Sequence, residues 1–206
     1  KEVNDLLKDP FEWMQVNSNN ASQLCDGMGT YKVFNKLTNY QIFLDKFGEI
    51  ELYNFVNLDE NDKDFVLSMR NHPQVNKWMH NQDDILKNSH LNFLESLQND
   101  IDRRYFLVKQ HKNIIGSINF SNIDLYSAEL GLYTNPFVKL KDLGRILEAS
   151  ASYYAFIELG LSKLSLEVFS SNERAIKFYK RCGFKNVDTG KTNDHNLVYM
   201  EKIGVL

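Results

Sequence analysis

The sequence predicts an α+β domain: a mixed, mainly antiparallel sheet flanked by helices, with an N-terminal helical appendage. Three observations carry that expectation. Arg103–Lys109 and Ile114–Phe120 are strand-like runs separated only by the turn Gln110–Asn113, which makes an antiparallel hairpin. Two helical patterns precede the hairpin, so the helices do not simply alternate with strands. After it, a loop ending in Gly144 opens a long helical pattern, which leads into a further strand and helix.

Residues 1–47 lie outside this pattern and form the first unit, with the domain proper at 48–206. Lys1–Lys8 reads as the end of a short helix stopped at Asp9-Pro10, because proline cannot continue it. Asn17-Ser18-Asn19-Asn20 is a turn and cap cluster. Ala21, Leu24, Val33, Phe34 and Leu37 suggest helical segments interrupted by Asp26-Gly27-Met28-Gly29. No strand precedes that Gly-x-Gly, so it is not read as a phosphate loop. Thr38–Gly48 carries Tyr40, Ile42, Phe43, Leu44 and Phe47, too apolar for a free linker.

The domain begins with the alternating run Ile50–Val56, a first strand. Asp62–Asn71 follows as a helix with Phe65, Val66 and Met69 inward. It ends at Arg70-Asn71-His72-Pro73, where Pro73 drives His72 out of helical geometry. Val75, Trp78 and Met79 continue an apolar patch, and Ser89–Gln98 is a second helix carrying Leu91, Phe93, Leu94 and Leu97. Beyond the hairpin, Ser127–Tyr133 is the next strand. Arg145–Leu159 is the long helix, Leu164–Phe169 a strand, and Ser171 or Asn172 caps a helix that Gly183 ends.

Composition narrows the function. In 206 residues, 43% are hydrophobic, enough for a packed core. A net charge of −3, with no basic run interleaved with aromatics, argues against a nucleic-acid partner. Cys25 and Cys182 make neither a disulfide framework nor a metal-ligand spacing, so no metal is expected. No stretch has the apolar length of a membrane span or the form of a signal peptide, and the expected compartment is the cytoplasm.

The order Asn172-x-x-Ala175-x-x-Phe178-Tyr179-x-Arg181-x-Gly183-Phe184 resembles the acyl-CoA-binding motif of the GCN5-related N-acetyltransferases. That resemblance implies acetyl-CoA as cofactor. It implies that Asn172 bonds the pantetheine arm, with Ala175 and Phe178 beside it, and that Tyr179 aims its hydroxyl at the sulfur as general acid. For the chemistry, a backbone N–H from the strand Leu130–Tyr133, with Leu132 and Tyr133 the cofactor contacts, is expected to hold the thioester oxygen as charge develops on it. Lys139-Leu140-Lys141-Asp142-Leu143-Gly144 stands where the family has Arg/Gln-x-x-Gly-x-Gly/Ala, so the pyrophosphate is expected on Lys139, Lys141, Asp142, Leu143, Gly144 and Arg145. Asp142 departs from the pattern: it lacks glycine's conformational range and brings a charge toward a dianion, at a cost of about 1 kcal/mol. Weakened rather than abolished binding is expected, with Lys139, Lys141 and Arg145 compensating. An ordinary capped helix start is the alternative.

From Ile50 onward, Arg70-Asn71-His72-Pro73 with Met79, and Gly131-Leu132-Tyr133-Thr134-Asn135-Pro136, are similar to the N-acetyltransferases of UDP-4-amino-4,6-dideoxy sugars in pseudaminic acid synthesis. The implied substrate is a UDP-linked amino sugar bound by Arg70, His72, Trp78, His90 and Tyr133, with Arg70 on the phosphates. For the amine proton the candidates are Glu129 and His90. Each has a plain structural alternative, an exposed strand residue or a hydrogen-bonded helix histidine. A protein N-terminal or ribosomal-protein acetyltransferase, and a silent acyl-CoA-binding module, remain the other readings. Asn20-Ala21-Ser22 through Asp26-Gly27-x-Gly29 to Val33 resembles the C-terminal tail of nucleotide-sugar hydrolases, which implies a covalent fusion to an upstream hydrolase domain. A helical extension packing on the domain, or on a second copy in a homodimer, is the alternative.

Overall fold

The computed structural model describes residues 40–45, 48–188 and 196–204. By its contacts the chain divides at 41/42, and the fold below is that of the described residues, nearly all of them in 42–206. The expectations for the helical segments, turns and hydrolase-like tail before Tyr40 fall outside the described residues.

Among the described residues, eight strands form one sheet: β1 (Tyr40–Asp45), β2 (Gly48–Asn54), β3 (Arg104–Gln110), β4 (Asn113–Ser121), β5 (Ser127–Thr134), β6 (Lys163–Phe169), β7 (Lys185–Asn186) and β8 (Leu197–Ile203). Their order is β1-β2-β3-β4-β5-β6-β8-β7. The apolar bridge after Thr38 therefore supplies a strand. From β2 to β7 every neighbouring pair is antiparallel except β5–β6, which is parallel. The predicted hairpin is β3–β4. Its two turn residues, His111 at φ 48° and Lys112 at φ 67°, both lie in the left-handed region, as a turn that matches strand twist requires.

Both sheet faces are covered, which explains why Phe106, Leu107 and Val108 are all buried despite strand alternation. One face packs α4 (Leu143–Tyr153) and α5 (Glu173–Arg181) over Phe106, Val108, Ile118, Phe120, Leu130 and Leu166. The other packs α1 (Glu60–Asn71) and α3 (Lys87–Ser96) over Phe55, Leu107 and the ring of Tyr133. Tyr154 meets Phe106 and Phe120 at ring separations of 4.7 and 5.2 Å, contacts worth about 0.5–1.5 kcal/mol each beyond area burial. The long helix does not stay regular to Leu159: Tyr154–Glu158 widens into a π turn. A Cβ on Gly116 would overlap the Tyr133 carbonyl oxygen and Leu147, so only glycine lets α4 lie this close to β4 and β5.

α1 starts at Asp59, whose carboxylate accepts from Asp62 N at 2.8 Å, and ends at His72 as Pro73 requires. Pro73 opens the short α2 (Pro73–Asn76), a use of proline's fixed φ at a first helical position. The last strands were not legible as strands in sequence. β8 lies between β6 and β7, a long-range pairing that no local pattern announces.

β5 and β6 part midway along their length. β5 and β6 pair only at Ser127↔Lys163, Ala128↔Leu164 and Glu129↔Ser165, although the strands continue to Thr134 and Phe169. Beyond Glu129 they diverge into a wedge that passes through the sheet, lined by the β6-facing main chain of Leu130–Thr134.

Candidate active site

On the α4–α5 face, the loop predicted to hold phosphate leads into α4. Asp142 adopts the left-handed conformation, φ 61° and ψ 7°, at the position where the family carries glycine. The loop keeps its glycine-type path, and aspartate tolerates that region better than most residues. Among the described residues no side chain caps the helix, so the N–H groups of its first turn have no side-chain acceptor there, while Ile146 N donates to Asp142 O at 3.0 Å. A pyrophosphate fits this start, with exposed Lys139 and Lys141 on the same loop. Gly144 brings α4 against α5: a Cβ there would stand 3.4 Å from the Phe178 ring. Arg145 lies 3.7 Å from the Asp142 carboxylate, so the aspartate partly neutralises a cation the phosphate would use. Asp142→Asn keeps a left-handed-tolerant residue and removes the charge. It is expected to tighten acetyl-CoA binding about 3- to 5-fold by calorimetry at low salt, with the gain shrinking as salt rises. An unchanged affinity at low salt would mean the carboxylate does not face the phosphates.

The α5 residues sit beside that loop. Asn172 Oδ1 accepts from Ala175 N at 3.1 Å, which makes it the helix cap and leaves its amide N–H₂ as the group able to reach a pantetheine arm. Tyr179 is 7% exposed, with its ring against Phe178 and Phe184. Burial first, then the neighbouring Cys182 and Glu148, raise its pKa well above the ordinary tyrosine value. Among the described residues no hydrogen bond holds its hydroxyl, so the phenol is a protonated donor at neutral pH without a competing acceptor. Burial and Glu148 push the Cys182 thiol up to about 11, and the resulting thiol is a poor nucleophile.

On the α1–α3 face the sheet presents Glu129, Gly131 and Tyr133, the positions alternating with core residues Ala128 and Leu130. Burial, against the lowering effects of a Ser117 hydrogen bond and nearby Arg70, pushes the Tyr133 phenol up to about 12. Arg70 donates to Asn76 Oδ1 at 3.0 Å and to Asn81 O at 2.9 Å. Partial burial lowers its pKa, and among the described residues no carboxylate pairs with it. A half-buried cation without a counter-ion beside a tyrosine is suited to an anionic ligand. Trp78 is 37% exposed, with Lys77 Nζ 5.3 Å from its ring.

Two histidines expected to meet the substrate also make structural contacts. His72 Nδ1 accepts from Gln74 N at 3.2 Å, capping α2, and its ring meets Phe137 edge-on at 5.1 Å. His90 is 5% exposed and its Nε2 bonds Lys63 O at 3.1 Å, tying α3 to α1. Desolvation there lowers its pKa, against the raising effects of the Lys63 carbonyl and Asp64. Glu129 lies at the closed end of the wedge, with Oε2 accepting from Asn122 at 3.0 Å.

Sequence reasoning passed over several groups on this face. Asn119 lies across β5, its amide occupying the space a Gly131 side chain would need. Asn76, 8% exposed, joins Arg70 to the following loop by donating to Gln82 O at 2.6 Å. Glu167 and Phe169 of β6 face His80. Their signal was present: in Leu164-Ser165-Leu166-Glu167-Val168-Phe169 the odd positions alternate with core leucines and a valine.

Comparison with known proteins gives the family. Residues 64–184 match the acetyltransferase (GNAT) family. Acetyltransferase PseH from Campylobacter jejuni strain 81-176 is 38% identical over 146 residues, which are 71% of this chain and 91% of that protein. The crystal structure of Campylobacter jejuni N-acetyltransferase PseH in complex with acetyl coenzyme A superposes with a TM-score of 0.62 at 32% identity, covering 76% of this chain and 99% of that one. An uncharacterised protein of Methanocaldococcus jannaschii is 25% identical over 172 residues, 82% of this chain but 35% of its own length. The chain belongs to the GNAT acetyltransferase family.

Proposed function

We propose that the chain transfers acetyl from acetyl-CoA to the amino group of a UDP-linked 4-amino-4,6-dideoxy sugar, as in pseudaminic acid synthesis, directly within a ternary complex. The observation that carries the reading is the wedge between β5 and β6, with the uncapped α4 start on one face and Arg70 beside Tyr133 on the other. The 38% identity to Acetyltransferase PseH and the fold match to PseH with acetyl coenzyme A support the substrate and the cofactor. Acetyl-CoA supplies the activated thioester. The chain's own residues do the rest: the α4 N–H groups hold phosphate, Asn172 orients the arm, and the wedge edge of Leu130–Tyr133 offers main-chain donors to the thioester oxygen. Tyr179 delivers a proton to the departing sulfur. Arg70 grips the nucleotide phosphates. The raised Cys182 thiol supports direct transfer over an acyl-cysteine route.

The longer archaeal relative supports reading residues 1–47 as the end of an upstream domain, because its match covers more of the chain than 48–206. A fused hydrolase is the form we favour, and assembly as a homodimer is the alternative use of that segment. No described helix is long and apolar enough to cross a membrane, in keeping with a cytoplasmic enzyme. The test is mass spectrometry of the product formed from acetyl-CoA and a UDP-4-amino-4,6-dideoxy sugar, beside a peptide with a free N-terminus. An N-acetylated sugar with untouched peptide supports the proposal; an acetylated peptide alone overturns it.

A further inference from the structure

The proposed transfer needs a group to receive the amine proton, and neither group expected from sequence stands in the open part of the wedge. His90 is closed between α1 and α3. Glu129 is the last paired residue of β5 and is engaged by Asn122. Two residues further along each strand the wedge is open, and there Glu167 of β6 stands where it would face Gly131 had the pairing continued. Leu164, Leu166 and Val168 turn into the α4 core, so alternation puts Glu167 and Phe169 on the opposite face, that of the proposed sugar.

The segment between α2 and α3 carries His80 to this spot. Its Nε2 lies 3.4 Å from Glu167 Oε2, and its ring meets Phe169 at 5.6 Å. The side chain is nonetheless 70% exposed, so one ring edge faces the carboxylate and the other is open. The residues after it are clamped to the helices. Arg70 Nη2 donates to Asn81 O at 2.9 Å, Asn76 Nδ2 to Gln82 O at 2.6 Å, and Asn71 Nδ2 to Ile85 O at 2.9 Å, while Asn71 Oδ1 accepts from Ile85 N at 2.9 Å. A histidine carried on an anchored loop, with one nitrogen at a carboxylate and the other free, has the form of an oriented base.

We infer that His80, oriented by Glu167, accepts the amine proton during acetyl transfer. As the amine nitrogen forms its bond to the thioester carbonyl carbon, Nδ1 of His80 takes the N–H proton. The carbon–sulfur bond breaks, and the sulfur leaves with its electron pair and takes the proton of Tyr179. His80 then releases its proton to water and Tyr179 regains one, so transfer from the neutral amine gives the amide and free CoA with no net proton; the one proton released overall is that which the substrate's ammonium loses to water before it attacks. Glu167 is the positioning residue: its carboxylate fixes the ring and stabilises the imidazolium.

The inference rests on the proposed transfer to an amino sugar, and wild-type turnover in the same assay separates the two. Failure of the sugar reading leaves the unmodified enzyme silent; failure of this inference leaves it active. His80→Ala is expected to lower kcat about 100-fold or more, with acetyl-CoA affinity unchanged and activity partly restored by added imidazole. Glu167→Gln is expected to lower kcat about 10-fold with little change in sugar KM. Full activity in His80→Ala would overturn the inference, as would a loss that imidazole does not relieve, which would make His80 only a strut. A Glu167→Gln enzyme defective in KM alone would make Glu167 a sugar contact and overturn its positioning role.

Discussion

Tyr179→Phe is expected to lower kcat about 100-fold or more while leaving acetyl-CoA binding intact. The substitution removes one oxygen from a ring fixed by Phe178 and Phe184, so packing and the α5 helix should survive. What is lost is the proton donor. In this fold the hydroxyl has no hydrogen-bond partner among the described residues, and burial keeps it protonated across the neutral range. A thiolate expelled into a partly dry wedge without that proton is a poor leaving group. Single-turnover rates beside calorimetric acetyl-CoA affinities read the two effects separately. A Phe variant that turns over at the wild-type rate would remove Tyr179 from the chemistry and leave it a core residue.

Arg70→Ala is expected to cost about 30- to 100-fold in kcat/KM for the sugar nucleotide, the scale of about 2–3 kcal/mol for charge-assisted bonds to phosphate. The loss should be largest at low salt, because a half-exposed cation is screened. Arg70→Lys should fall between, since it keeps the charge and loses the planar fork. Arg70 also anchors Asn76 and the Asn81 carbonyl, so part of any defect could come from the loop rather than the phosphates. An amino sugar without the nucleotide resolves this. The Ala and wild-type enzymes should then differ little, and an equal loss on both acceptors would make Arg70 a loop anchor only.

The parts of this protein that were legible in sequence are those fixed by local chemistry. Pro73 ends a helix, the hairpin turn follows from two runs close together, and Asn172 through Phe184 carries its motif in consecutive residues. Asp142 was legible as a departure, but its outcome was not: whether the loop would bend away or hold a left-handed aspartate depends on α4 being pinned to α5 at Gly144. The histidines mark the other boundary. His72, His80 and His90 all lie within one stretch, and nothing local distinguishes a cap, a wedge residue and a helix clamp. That distinction depends on which strand or helix each one meets, and β6 is more than eighty residues from His80 in the chain. β8 was missed for the same reason, since its pairing with β6 is a tertiary event.

The central claim is that thioester and amine enter the β5–β6 wedge from opposite faces and react there directly. Initial-velocity kinetics, varying acetyl-CoA at several fixed concentrations of the UDP-amino sugar, test it most directly. Intersecting lines, with no acetylated protein detected by mass spectrometry when acetyl-CoA is present alone, are the expected result. Parallel lines together with an acetyl-enzyme would contradict the account, because they require the acetyl group to rest on the protein before the amine arrives.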